Sequence, residues 1–278
     1  MTRIYDVVCT AVTDRADLFV ASMDSLLRYV DAPPRRLVVH EDTRAAQEAQ
    51  GHNASYRGAI ESWLRATRAD GRIEDFAHRV RAPAGGMGSA VVWAMETAGT
   101  EFVLFTQEDW ELLRPVPIAA TIDFMSRRGV HHVSFNKRKT MPYKGEGPTR
   151  WNKVPVTFAE EGEVYGVADP ARGPVFTVCD HWRTQLGLWR REAALPALRQ
   201  AAAMSSQSNA FVARFNDLMN TAALAAGGAG RRWNDQRFRQ EWMRTFLFGP
   251  IGEPPFIRHL GSRRGTGHIV DHLAESSG

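Results

Sequence analysis

The stretch TEFVLFTQEDWELL, residues 100–113, limits what this chain can fold into more than any other. Phe102 to Thr106 is an apolar run of strand length, and it stops abruptly at Gln107-Glu108-Asp109, with Trp110 and Glu111 behind. Continuous apolar runs without alternation mark strands buried on both faces, as in a parallel sheet covered by helices. The run belongs to a series. Ile4 to Val12 is β-rich, and Thr13 and Asp14 can cap a following helix whose apolar positions are Leu18, Phe19, Leu26 and Leu27. Pro33-Pro34 breaks the chain before a short strand, Arg36 to His40, that ends in Glu41-Asp42. A helical segment spans about Ala54 to Thr67, and RAPAGGMGSAVVWAMETAG reads as a Gly-rich turn, with no strand before it, running into a helix that Gly99 ends. After residues 100–113 come a helix over Ile118 to Arg127 and a strand over Val130 to Phe135. Such repeated units predict an α/β fold with a mainly parallel central sheet flanked by helices. Ligands in such sheets bind beyond the carboxyl ends of the strands. Thr10 to Asp14, Glu41-Asp42 and Glu108-Asp109 all fall at such ends.

From Asn136 to Pro174 the periodicity dissolves into a long polar segment, a length that in a compact domain points to function or disorder. VFTVCDHWRTQLGLWRRE then predicts two short strands. Helices follow over Glu192 to Ala203, Asn209 to Ala225 and Asp235 to Phe248, and Phe256 to Leu260 is a last strand. There is no internal repeat, and the chain reads as one domain over residues 1–262 with a polar tail, 263–278, as a loosely held terminus. Composition sets outer bounds. Of 278 residues, 44% are hydrophobic and 24% charged, as in ordinary soluble domains. No stretch approaches the ~20 apolar residues of a membrane span, and the first residues lack a signal-peptide pattern. Cys9 and Cys179 are the only cysteines and sit in strand-like runs, so a reducing cytoplasm is the expected setting, without disulfides or membrane. The net charge of +4 leans mildly toward polyanions.

Several familiar chemistries are excluded by pattern. Gly85-Gly86-Met87-Gly88 does not match a dinucleotide fingerprint, and neither a Walker A sequence nor an H-E-x-x-H zinc signature occurs. Cys179, Asp180 and His181 lack further ligands at zinc spacing. What remains is a Gly-rich turn, a helix, a strand and an acidic cluster. Carboxylates at a strand end can hold a hard divalent cation, which in turn neutralises a diphosphate.

The segment RAPAGGMGSAVVWAMETAGTEFVLFTQEDWEL resembles the core of GT-A glycosyltransferases, especially the family-2-like group, in which a glycine-containing turn, an alanine-rich helix and an acidic D-x-D stretch follow in this order. Gln107-Glu108-Asp109 occupies the D-x-D position, with Gln107 in the first acidic place. The resemblance implies that Asp109 takes the metal role (manganese or magnesium), supported by Glu108. VVCTAVTDRADLFVASMDSLL resembles the first GT-A strand and helix. It implies that Thr10 and Asp14 line the nucleotide pocket, with Glu41 or Asp42 on the base or ribose and Gly88 at the nucleotide-sugar site. FIRHLGSR resembles the closing strand whose histidine completes the metal shell, here His259. Residues 1–135 would then form the nucleotide-sugar half and 136–262 the acceptor half. On the residues alone, His259 as a structural histidine and Glu41-Asp42 as a polar turn remain alternatives. Trp182, Trp189 and the His131-His132 pair read as core.

Inversion requires a carboxylate to deprotonate the acceptor hydroxyl. Asp217, in RFNDLMN, is the first candidate, followed by Asp180, Asp235 and Glu241; a retaining enzyme would need none. For the acceptor, residues 135–153 carry Lys137, Arg138, Lys139, Lys144, Arg150 and Lys153 against Glu146, interleaved with Phe135, Tyr143 and Trp151. That mixture suits phosphate contacts and base stacking, with Lys137, Arg138, Lys139 and Trp151 as acceptor-binding candidates, and a solvated loop as the alternative. In overall form the chain resembles the TET-associated glycosyltransferases of phages, which glycosylate 5-hydroxymethylcytosine in DNA and would act here in the host cytoplasm. A polysaccharide or small-molecule acceptor, or a non-catalytic DNA-binding protein of the same fold, are the competing readings.

Overall fold

The computed structural model describes residues 4–43, 56, 58–82, 84–137, 155–157, 164–165, 174–178, 182, 184–205, 208–227, 245–249 and 253–261. β1 (Tyr5–Val12) leads through a 3-10 turn (Thr13–Arg15) into α1 (Ala16–Tyr29). Then follow β2 (Arg36–Asp42), α2 (Ala59–Ala69), β3 (Asp75–Arg81), α3 (Met87–Thr97), β4 (Phe102–Gln107), β5 (Trp110–Leu112), α4 (Ile118–Arg128) and β6 (His132–Ser134). The second half contributes β7 (Pro155–Thr157), β8 (Val164–Tyr165), β9 (Val175–Val178), β10 (Gly187–Arg190), α5 (Arg191–Met204), α6 (Ser208–Gly227), β11 (Thr245–Phe248) and β12 (Ile257–His259).

Ten of these strands form one sheet in the order β3-β2-β1-β4-β10-β6-β11-β9-β7-β8, and β12 pairs with β5 in a small second sheet. The three long ladders, β3–β2, β2–β1 and β1–β4, are parallel. β10 runs antiparallel between β4 and β6. β11 is parallel to β6 and antiparallel to β9. This is the expected α/β architecture, with antiparallel strands inserted on the C-terminal side.

Alternation along the strands explains why they read as unbroken apolar runs. Tyr5, Val7, Cys9 and Ala11 of β1 point to one face, against Phe19, Met23 and Leu26 of α1 and Ile60 and Leu64 of α2. Val8 of β1 and Val103 and Phe105 of β4 point to the other, against Val91 and Met95 of α3, Leu198 of α5 and Phe211 and Phe215 of α6. Both faces are therefore covered, and each fully buried large apolar side chain contributes about 1.5–3 kcal/mol.

Three sequence expectations need correction. Thr13 and Asp14 do not cap α1. They form the 3-10 turn, the helix start carries no side-chain cap, and the Thr13 hydroxyl instead sits 2.9 Å from that of Thr43 beyond β2. A strand does precede the Gly-rich turn: DFAHRVR forms β3 at the sheet edge, half buried along most of its length, so it lacks an apolar run to betray it. Thr245–Phe248, expected as the end of a helix from Asp235, forms β11 instead, buried throughout between β6 and β9; residues 235–244 of that expected helix lie outside the described residues. A short, fully apolar segment carries no periodicity that separates strand from helix. Among the described residues, no helix is long and apolar enough to cross a membrane.

Candidate active site

The strand order reverses direction at β1: β2 and β3 lie on one side of it and β4 on the other. Crevices at such switch points, beyond the carboxyl ends of the strands, are where open α/β sheets bind ligands. Here Thr10 of β1 pairs in register with Gln107 of β4, and the Glu108 amide donates to the Thr10 carbonyl at 3.1 Å. That bond pins the chain just past β4 and fixes where Glu108 and Asp109 project. β5 then turns away and pairs with β12, which sets His259 opposite Trp110, while the Leu260 amide donates to the Asp109 carbonyl at 2.8 Å.

Four side chains converge as a result. His259 Nε2 lies 3.1 Å from Asp109 Oδ2, and its ring stands edge-on to Trp110 with centroids 4.8 Å apart. Arg15, in the turn after β1, brings Nη1 to 3.1 Å from Glu108 Oε1 and 3.2 Å from Asp109 Oδ2. Both carboxylates are buried, Glu108 at 6% exposure and Asp109 at 5%. Burial first, and the neighbouring Asp109 second, push the Glu108 carboxyl up to about 7, with Arg15 pulling the other way. Beneath them, burial and then the fields of Glu108 and Asp109 raise the Cys9 thiol.

The Asp109–His259 pair suits a divalent cation. Asp109 Oδ1 is buried and has no hydrogen-bond partner among the described residues, and carboxylate plus imidazole is a donor set that manganese accepts. Among the described residues no group of three His, Cys, Asp or Glu side chains converges to hold a metal. Cations that work on diphosphates need only one or two protein ligands, since phosphates and waters supply the rest.

Beside this cluster a cavity of about 320 Å³ is lined by Gln107, Trp110, Lys137, Trp182, Thr184, Gln185 and Asn216. Its polar wall is tied by hydrogen bonds: Gln107 Nε2 donates to the Thr184 carbonyl at 3.2 Å, and Gln185 Nε2 to the Phe135 carbonyl at 3.1 Å. Lys137 Nζ lies 5.6 Å from the centre of the Trp110 ring. Trp110 Nε1, Trp182 Nε1 and Asn216 Oδ1 are buried with no hydrogen-bond partner among the described residues. These unpaired atoms belong to residues that line the cavity.

The other predicted site residues fall out as follows. Thr10 is buried at the strand end and Asp14 is half buried in the turn. Glu41 and Asp42 belong to β2 itself, and their carboxylates have protein partners. Glu41 meets His78 at 2.8 Å; Asp42 meets His40 at 3.1 Å and accepts the Gly85 amide at 3.1 Å. Burial works to raise the Asp42 carboxyl, but the hydrogen bonds from His40 and Gly85 bring it below its ordinary value. Asp42 thereby ties the Gly-rich turn to β2. Gly88 faces α5 and α6: a Cβ there would stand 3.0 Å from Phe211 Cδ2 and 3.2 Å from Ala202 Cα. Its missing side chain makes room for helix packing. Asp217 is exposed on α6, and its neighbour Asn216 is the residue that lines the cavity. Asp180, Asp235, Glu241, Arg138, Lys139 and Trp151 lie outside the described residues. Sequence reasoning missed Arg15, Thr184, Gln185 and Asn216 as site residues. It read Trp182 as core, and at 2% exposure that tryptophan is both core and cavity wall.

No protein-family model matches the chain, and no curated protein does. Among solved structures, the chain is similar to S. aureus TarS 1–349, with a TM-score of 0.44 and 13% identity over 78% of this chain and 56% of that one. TarS 1–349 in complex with UDP-GlcNAc gives a TM-score of 0.43 and 13% identity, over 96% of this chain and 61% of that one. The mannosyltransferase PcManGT from Pyrobaculum calidifontis, in complex with GDP-Man and Mn2+, gives 0.38 and 20% identity, over 50% and 37% of the two chains. The match therefore covers little more than half of the TarS 1–349 chain.

Proposed function

We propose that this chain is a GT-A-type glycosyltransferase that moves a sugar from a nucleoside-diphosphate sugar to an acceptor hydroxyl. One observation carries the reading: a buried carboxylate with a free oxygen, Asp109, lies 3.1 Å from His259 at the switch-point crevice, beside a cavity of indole and amide groups. Asp109 and His259 would hold a divalent cation whose charge offsets that building on the leaving diphosphate. Thr10 and Asp14, on the β1 side of the crevice, would face the nucleotide. Glu41 and Asp42 would act at one remove, by holding β3 and the Gly-rich turn in place. Trp110, Trp182 and Asn216 would hold a sugar ring, since stacking rings and unpaired polar atoms match a polyhydroxylated ligand.

The acceptor we favour is a saccharide or other small polyhydroxylated molecule, because the cavity's polar wall is largely uncharged. Transfer to 5-hydroxymethylcytosine in DNA rests on the basic and aromatic run over residues 135–153. Of that run Phe135, Asn136 and Lys137 are described; Phe135 is fully buried and Lys137 borders the cavity. A screen of UDP- and GDP-sugars with and without manganese, read by melting temperature, tests the donor class. Sugar transfer to free saccharides against hydroxymethylated duplex DNA then tests the acceptor. Replacing Lys137, Arg138 and Lys139 by Ala should flatten the salt dependence of DNA binding, at about 0.9 in log–log slope per lost phosphate contact, if DNA is the acceptor. Failure of every nucleotide sugar to stabilise the protein would sink the proposal.

A further inference from the structure

Arg15 is the one member of the cluster to which the D-x-D reading gives no task. Its Nη1 serves both carboxylates, and on Asp109 it takes Oδ2, the same oxygen that His259 approaches, leaving Oδ1 buried and without a partner among the described residues. A guanidinium keeps its charge in any protein setting, so the two carboxylates already have a permanent counter-charge. The side chain is 19% exposed, against 8% for each carboxylate side chain it contacts, and it springs from a short turn at the crevice rim. Its side chain reaches solvent more than the carboxylates do.

We propose that Arg15 and the divalent cation compete for Asp109. In the donor-free protein Arg15 is the resident counter-cation; when the metal and nucleotide enter, the guanidinium leaves Asp109 and grips the diphosphate. The proposal rests on the glycosyltransferase reading above. Electrostatics drives the exchange. A divalent cation on the Asp109–His259 pair would lie within a few ångströms of the guanidinium, and like charges that close repel strongly at low effective dielectric. The arriving diphosphate offers the planar fork a new anionic partner that it matches in geometry. Two consequences follow. The donor-free protein binds metal weakly, and it retains some affinity for a nucleoside diphosphate without metal.

The test measures Mn2+ binding to the donor-free full chain by the electron paramagnetic resonance of free Mn2+, for wild type, Arg15→Gln and Arg15→Lys. Arg15→Gln should bind Mn2+ about tenfold tighter or more, as expected for removing a unit charge beside the site. Arg15→Lys keeps the charge and should keep wild-type Mn2+ affinity. UDP and GDP, titrated without metal, should bind several-fold more weakly to both variants, since both lose the fork. Equal or weaker Mn2+ binding by Arg15→Gln, with Mn2+-dependent nucleotide binding intact in the wild type, overturns the competition and leaves the glycosyltransferase reading standing. Absence of both Mn2+ and nucleotide binding in all three proteins overturns both. If Arg15→Gln does not fold, Arg15→Lys decides: undiminished metal-free affinity for UDP and GDP would refute the role on the diphosphate.

Discussion

Glu108 lets the electrostatics of the cluster be tested without any substrate. Its carboxyl is held up to about 7 in the folded protein, against an ordinary value of 4.5. The unfolded chain therefore releases this proton near 4.5, while the folded chain keeps it up to about 7. Between those values the folded state binds more protons than the unfolded one, so stability falls as pH rises, and the loss is complete above about 7. A displacement from 4.5 to about 7, at about 1.4 kcal/mol for each tenfold change in proton affinity, corresponds to about 3 kcal/mol. Glu108→Gln removes the titration while keeping the shape and a donor like that of the protonated acid. Urea denaturation at intervals from pH 4.5 to 8.5 should show the variant gaining on the wild type by about 3 kcal/mol, most of it between pH 5 and 7.5. A stability difference that stays flat across that range would refute the reasoning. It would mean that Arg15 compensates Glu108 fully and that burial costs the carboxylate little.

Asp109→Asn should abolish manganese-dependent transfer while leaving the fold intact by circular dichroism, because the amide keeps the volume and loses the charge; near-normal turnover in manganese would disprove the metal role. His259→Ala should weaken nucleotide binding much more with manganese than without it, and equal losses in both titrations would point to packing against Trp110 instead. Gly88→Ala should destabilise by about 1–3 kcal/mol in denaturation, because the new methyl group meets Phe211 and the Ala202 backbone and outweighs a gain of up to ~1 kcal/mol in helix propensity. Arg35→Ala should cost about 2–4 kcal/mol, since it strips the bidentate partner, at 3.0 and 2.8 Å, from the fully buried Asp6 carboxylate, which keeps only the Gly99 amide; a cost below 1 kcal/mol would contradict this.

Local pattern and spacing were enough to specify the α/β class, β1, β4, most helices and the strand end at Glu108-Asp109. Strands buried on both faces must be apolar throughout, and helices on a core must repeat every three or four residues, so both leave their mark on adjacent residues. β3 left none, because an edge strand with half-exposed sides has no burial to encode. β11 left an ambiguous one, since four buried residues fit either period. The resemblance of FIRHLGSR put His259 forward, but the β5–β12 pairing is what brings it to Asp109, and such pairing between distant segments is invisible in either stretch alone. Arg15 is the clearest case. Nothing near it in the chain says that a turn after β1 will lie over a carboxylate pair after β4; that follows from two parallel strands lying side by side in register. The cavity is likewise tertiary, since Gln107, Trp182 and Asn216 come from three separate segments. Sequence determined which residues could bind a charged ligand; the sheet order decided which of them meet, because proximity in a fold is set by strand pairing and not by distance along the chain.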